Sequence, residues 1–251
     1  MKLESYLKVI EKFLQDKLHD THMDGYVLGL SGGVDSALVA GIAKAAVGKE
    51  KLFCLLMPCH SQPIDLQLAE ELAHKFDIPY AVVDLSSTYD TMVAEIEKKA
   101  KVSGKPLDHL AHINMKVRLR MVTLYAFAQA RKALVLGTDN WDESFTGYFT
   151  KYGDGGVDLL PIVSLTKAEV REGARYYGVT EAIITRAPTA GLFDGQTDEG
   201  EMRVTYDELD SYLLGGKLPE EKVERIEYLH RVSAHKRDPL PRPEPFVRDH
   251  K

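Results

Sequence analysis

Leu28-Gly29-Leu30-Ser31-Gly32-Gly33-Val34-Asp35-Ser36-Ala37 is the stretch around which this 251-residue chain is organised. Tyr26 to Leu30 reads as a buried strand, Ser31-Gly32-Gly33 as a tight turn, and Asp35 onward, through Leu38, Val39 and Ile42, as a helix. A strand that breaks into glycines and restarts as a helix aims several backbone N–H groups at one point. The helix dipole adds partial positive charge there. Glycines let a phosphate approach the backbone closely, and Ser31 and Ser36 supply hydroxyl donors. Asp35 is out of place in a bare phosphate cradle, because carboxylate and phosphate repel unless a cation lies between them. The pattern therefore implies Mg²⁺ as well as a phosphorylated ligand. It lacks the Gly-Lys-Ser/Thr ending of a Walker loop, so it is a different cradle.

Outward from the turn, Leu3, Tyr6, Leu7, Ile10, Phe13, Leu14 and Leu18 predict an amphipathic helix over residues 2–18. Lys51 to Met57 reads as a second strand, and Pro63 opens a helix to about Phe76. Ala81-Val82-Val83 reads as a third strand and Leu85 to Ala100 as a helix. After a polar break at 101–106, a long helix is expected from Asn114 to Lys132, then a strand at Ala133-Leu134-Val135-Leu136. This alternation predicts an α/β fold, a doubly wound parallel sheet with helices on both faces. Such sheets bind ligands beyond the carboxyl ends of their strands, where Gly29–Ser36, Pro58-Cys59 and Gly137-Thr138 fall. No linker divides the chain, so one domain is expected over 1–251.

The second half is less regular. Thr138 to Asp158 is polar, aromatic and glycine-rich without sustained periodicity, and loops of that length in compact domains are commonly functional. Thr166-x-x-Glu169 forms a capping box for a helix to about Tyr177. Residues 188–204 read as irregular, and Gly191 to Arg203, rich in glycine and acids, as a mobile lid. Tyr206 to Leu214 and Pro219 to Ser233 read as helices, and the proline-rich tail from His235 as a wrap over the surface.

Net charge is −6 and the sequence pI about 5.9, which argues against a nucleic-acid partner, since such partners select a basic face. Cys54 and Cys59 are too few and too close for a disulfide framework or a zinc site. No apolar run reaches membrane-spanning length and no signal-like core opens the chain. A soluble, cytoplasmic protein is expected.

The opening loop resembles the Ser-Gly-Gly-x-Asp-Ser loop of the ATP pyrophosphatases. With Gly137-Thr138-Asp139, Glu143, Phe149-Thr150-Lys151-Tyr152-Gly153-Asp154-Gly155-Gly156-Val157-Asp158 and Pro188-Thr189-Ala190, the chain resembles the ammonia-dependent NAD⁺ synthetase family over nearly its whole length. Gln196-Thr197-Asp198-Glu199, Tyr206 to Asp210 and His235-Lys236-Arg237 fit the same family. The resemblance implies that the nicotinate carboxylate of deamido-NAD⁺ attacks the α-phosphate of ATP and ammonia then displaces AMP. It further implies that Gly29, Leu30, Ser31, Gly32, Gly33, Val34, Asp35, Ser36, Thr138, Lys167 and Thr189 bind ATP, and that Asp35 and Glu143 hold Mg²⁺. Arg118, Lys151, Asp158, His235 and Lys236 match positions that contact deamido-NAD⁺, although Lys116 and Arg120 share the predicted helix with Arg118. Asp198 or Glu199 is a candidate acid for attracting ammonium. A homodimer is implied, with the 114–132 helix a candidate interface.

Blander roles fit some of these residues. Asp142 and Glu143 suit the first turn of a short helix, Lys167 a solvated face, and His235-Lys236 a charged surface. The Asn140-Trp141-Asp142 segment says little about the substrate. A tRNA-modifying ATP pyrophosphatase is disfavoured by the acidic charge and the missing Cys-x-x-Cys, and a nucleotide-binding module without turnover has no need of Asp35, Glu143 and the lysines together. Free ammonia is the expected donor, with a separate glutaminase partner left open.

Overall fold

The computed structural model describes residues 1–187, 197–246 and 248. Helix α1 (Leu3–Thr21) leads into strand β1 (Gly25–Gly29), and the Ser31–Gly33 turn into helix α2 (Val34–Val47). Strand β2 (Leu52–Leu56), helix α3 (Pro63–Lys75), strand β3 (Tyr80–Val82) and helix α4 (Ser86–Val102) follow. The long helix α5 (His109–Arg131) then enters strand β4 (Ala133–Leu136). It starts five residues before the expected Asn114, because the Asp108 carboxylate accepts the Ala111 N–H (2.8 Å) and caps it.

All strand pairs are parallel, in the order β3-β2-β1-β4, with Tyr26 beside both Leu52 and Leu134. Successive side chains of β1 enter different cores. Tyr26 and Leu28 pack with α1 and α2 residues such as Leu14, Leu38 and Ile42, whereas Val27 packs with Leu55, Val135 and Ala128. Both faces of the sheet are thus covered, which is why its strands read as continuous apolar runs. The doubly wound parallel sheet is the expected one. Its strand order reverses between β1 and β4, and that is where a crevice opens above the carboxyl ends.

Helix α2 is apolar on nearly every side because it lies between the sheet, α1 and helix α7 (Lys167–Tyr176). Helix α5 mixes apolar and basic residues around its circumference, burying Ile113, Val117 and Ala128 while Leu110 and Val122 remain 61% and 58% exposed.

Two regions differ from the sequence reading. The 138–158 stretch contains a helix, α6 (Trp141–Thr146), too short to show periodicity but closed by an Asn140/Glu143 capping box. After α8 (Glu181–Ile184), the expected lid falls partly outside the described residues (191–196), and its remainder carries helix α9 (Asp198–Met202). Asp198 and Met202 are buried there, so this part is packed rather than loose. Helices α10 (Tyr206–Leu213), α11 (Glu220–Val232) and α12 (Ala234–Arg237) complete the chain, and residues 238–246 are exposed coil, with Leu240 65% exposed.

Candidate active site

Gly32 makes the first turn of the crevice possible. Its φ is +83°, and a Cβ there would stand 2.5 Å from the Asp65 carbonyl oxygen, so only glycine fits. The two serines hold the turn: Ser36 Oγ donates to the Gly33 carbonyl (3.0 Å) and lies 3.1 Å from Ser31 Oγ. Asp35 follows in the first turn of α2, facing across the switch point to α6 and α7.

There the charges meet. Lys167 Nζ donates to Asp35 Oδ2 at 2.7 Å and to Glu143 Oε1 at 3.2 Å. Asn140, fully buried, links the same two acids: its side-chain amide donates to Asp35 Oδ1 (2.9 Å), its backbone N–H to Glu143 Oε2 (3.2 Å). Tyr206 Oη lies 3.1 Å from both Glu143 Oε1 and Asp198 Oδ2, and Lys167 Nζ sits 4.6 Å from the centre of the Tyr206 ring. Tyr148 Oη donates to Asp198 Oδ1 (3.1 Å).

Burial pushes the Glu143 carboxyl up to about 7; Lys167 opposes the shift and the Asp35 charge reinforces it. Burial also disfavours the Lys167 ammonium, but Asp35 and Glu143 outweigh it and hold the group above the ordinary lysine range. Lys167 is only 2% exposed, which removes the solvated-face reading. Glu143 is both the helix-capping residue and an acid of the cluster, so the two readings of it coexist.

The other end of the crevice is built differently. The Phe149–Asp158 segment is tightened by the Thr150 N–H to Asp154 Oδ1 bond (2.6 Å) and the Gly153 N–H to Thr150 carbonyl bond (2.8 Å). Arg118 donates twice to the Lys151 carbonyl (3.3 and 3.2 Å), and the Lys151 ammonium donates to the His235 carbonyl. Lys236 donates to the carbonyls of Gly147 (2.7 Å) and Phe149 (2.5 Å), and burial pulls its ammonium below the ordinary lysine range. Arg120 also borders the crevice and donates to the Met57 carbonyl and Ser61 Oγ (3.1 Å each), while Lys116 lies over the Tyr89 ring.

One cavity of about 590 Å³ joins the two ends. Gly29, Leu30, Ser31, Gly33, Val34, Asp35, Ser36, Thr138, Glu143, Lys167 and Asp198 border it, as do Arg118, Lys151, His235 and Lys236. Asp158 does not border it; its carboxylate accepts the Val135 N–H (2.8 Å) and the Tyr125 hydroxyl (3.0 Å), pinning β4. Glu199 is turned to the Tyr206 N–H (2.9 Å), so of the two candidate acids Asp198 is the one on the cavity. Thr189 lies outside the described residues. The Asn140–Asp142 segment says little about the substrate but contributes two buried residues beside the acids, and the Asn-x-x-Glu spacing is its readable signal.

A family profile described as NAD synthase matches residues 6–240. The chain belongs to the NAD synthase family. It is 44% identical to the NH₃-dependent NAD⁺ synthetase of Mesoplasma florum over 248 residues, 99% of this chain and 100% of that one. Among solved structures, it superposes on the NMN synthetase of Francisella tularensis with a TM-score of 0.90 at 36% identity, covering 97% and 99% of the two chains. It superposes on the NH₃-dependent NAD synthetase of Campylobacter jejuni with a TM-score of 0.79 at 29% identity, covering 97% and 100%.

Proposed function

We propose that this NAD synthase converts deamido-NAD⁺, ATP and ammonia to NAD⁺, AMP and pyrophosphate. The nicotinate carboxylate oxygen bonds to the α-phosphorus as pyrophosphate leaves. Ammonia then bonds to the acyl carbon, AMP leaves with its oxygen, and a proton is lost. The observation that carries this reading is the Asp35–Lys167–Glu143 cluster at the mouth of the glycine turn, in one cavity with Arg118 and Lys151.

In this reading the turn and α2 receive the phosphates, and Lys167 exchanges a carboxylate for a phosphate oxygen as charge builds on the departing pyrophosphate. Mg²⁺ typically takes one or two carboxylates and fills its other positions with water and phosphate oxygens. Two acids converging on one ammonium fit such an ion, with Asp35 and Glu143 as its ligands. When bound it neutralises charge on the leaving group. Asp198, held by two tyrosine hydroxyls, faces the cavity as the acid that attracts ammonium and takes its proton. Arg118 and Lys151 receive the dinucleotide diphosphate.

The likeness to an NMN synthetase supports a second reading, in which nicotinate mononucleotide is amidated by the same steps. Both substrates are tested with ATP, Mg²⁺ and either ammonium or glutamine, measuring AMP, pyrophosphate and amide. Equal amounts of NAD⁺, AMP and pyrophosphate from deamido-NAD⁺ and ammonium are expected. Preferential use of the mononucleotide selects the second reading, and ADP with phosphate overturns both. Glutamine use in the presence of a separate glutaminase identifies a partner. The exposed Leu110 and Val122 on α5 support a homodimer, and light scattering of the purified protein tests it. Among the described residues no helix is long and apolar enough to cross a membrane, and both cysteines are free, which suits a cytoplasmic enzyme.

A further inference from the structure

Lys167 is the first residue of α7, and the start of that helix draws two carboxylates from other helices in addition to its own capping box. Its capping box already serves two N–H groups: Thr166 Oγ1 accepts from Glu169, and Glu169 Oε2 from Thr166 (2.9 Å). Two further carboxylates arrive from other helices. Asp142 of α6 accepts the Lys167 N–H at 2.8 Å through Oδ2, and Asp210 of α10 accepts the same N–H at 3.2 Å through Oδ1. The second oxygen of Asp210 accepts the Ala168 N–H at 3.0 Å. Asp142 is fully buried and Asp210 is 8% exposed.

These carboxylates accept the Lys167 and Ala168 N–H groups that the capping box leaves without an acceptor, and bringing two buried acids together on one N–H is a costly way to do so. What the arrangement also provides is position. The Asp142 carboxyl fixes the Lys167 backbone, and its peptide neighbour is Glu143, so one residue sets both ends of the Lys167–Glu143 pair. The Trp141 N–H to Leu165 carbonyl bond (2.8 Å) adds a second tie between the same two segments.

We propose that Asp142 and Asp210 are positioning residues that clamp the start of α7, holding the Lys167 ammonium in line with Asp35 and Glu143 while it exchanges carboxylate for phosphate. The clamp rests on the role assigned to Lys167 above. A displacement of about 1 Å in a catalytic group costs on the order of 10²-fold in rate. The effect therefore falls on turnover more than on ATP affinity.

The test compares Asp142→Asn, Asp142→Ala and Asp210→Asn. The amide of Asp142→Asn still accepts the Lys167 N–H, so turnover stays within about threefold. Asp142→Ala removes the acceptor, and Asp210→Asn presents an NH₂ to one of two N–H groups. Each is expected to lower kcat by about 30-fold or more with little change in KM for ATP. A second measurement does not use the reaction: amine-specific acylation of Lys167, followed by mass spectrometry. Lys167 should be labelled at least about tenfold faster in Asp142→Ala and Asp210→Asn than in wild type or Asp142→Asn, because it is no longer held between its acids. Equal behaviour of Asp142→Asn and Asp142→Ala in both measurements overturns the clamp. So does unchanged Lys167 labelling in all three variants. Absence of NAD⁺ formation by the wild type instead overturns the functional reading, and the labelling then decides the clamp alone.

Discussion

The two ends of the crevice handle positive charge in opposite ways. At the glycine-turn end, Lys167 is buried and paired with two carboxylates, themselves held by Asn140 and Tyr206. At the other end, Arg118, Lys151 and Lys236 all donate to main-chain carbonyls. A carbonyl orients a cation without cancelling its charge. The first end is therefore a preformed charge network that must exchange partners during the reaction, and the second a set of cations aimed by main-chain carbonyls, of which Lys236 also lies near the carboxylates of Asp139 and Asp154. Loss of a member should cut turnover at the first end and weaken binding at the second.

The sharpest attempt to break this contrast is Lys167→Ala. It leaves Asp35 and Glu143 facing each other without a cation, and breaking a buried pair typically costs about 3–5 kcal/mol of stability. Turnover is expected to fall by at least about 10³-fold, since a buried, preorganised donor to developing charge is lost. Mg²⁺ should raise the thermal midpoint of this variant more than that of wild type, because the ion replaces the missing ammonium. A variant that is stable without Mg²⁺ and indifferent to it would show that the acids do not depend on a cation.

Asp35→Asn and Glu143→Gln come next, each lowering turnover by on the order of 10²-fold, with the fold retained. The two should depend on Mg²⁺ concentration alike if they share the ion. Near-normal activity of either one at low Mg²⁺ removes the pairing.

How much of this was legible beforehand depends on how local the interactions are. The glycine turn was readable because strand, turn and helix are contiguous and glycine has a specific backbone meaning at Gly32. Lys167 resembled any lysine in a first helical turn; its partners lie 132 and 24 residues away, and hydropathy does not distinguish a buried ammonium from a solvated one. Helix α6 escaped periodicity because six residues make under two turns, although its capping box stood in plain sight. Asp198 sits on a helix within a stretch whose glycines and acids suggested a loose loop, and burial against Tyr148 and Tyr206 overrides that composition.

Effects at the carbonyl-held end should be milder and sensitive to salt. Arg118→Ala and Lys151→Ala are expected to raise KM for deamido-NAD⁺ by about tenfold, with smaller changes in kcat and in KM for ATP. Arg118 is exposed and Lys151 half-buried, so added salt should narrow the difference from wild type as it screens the diphosphate. Equal weakening of ATP binding would erase the division between the two ends.

Asp158→Ala is expected to have the smallest effect on catalysis, and it tests where the second end stops. The resemblance to the family groups this residue with the dinucleotide contacts, yet its carboxylate accepts the Val135 N–H and the Tyr125 hydroxyl and does not border the cavity. Alanine leaves a strand N–H without its acceptor, a loss of about 1–3 kcal/mol. Stability should fall by that amount in denaturant titration, while KM for deamido-NAD⁺ rises less than threefold. Asp158→Asn keeps an acceptor for Val135 and should recover most of the stability. A rise in KM matching that of Lys151→Ala, with stability unchanged, would place Asp158 in the binding surface and extend the second end beyond the cavity that Arg118 and Lys151 border.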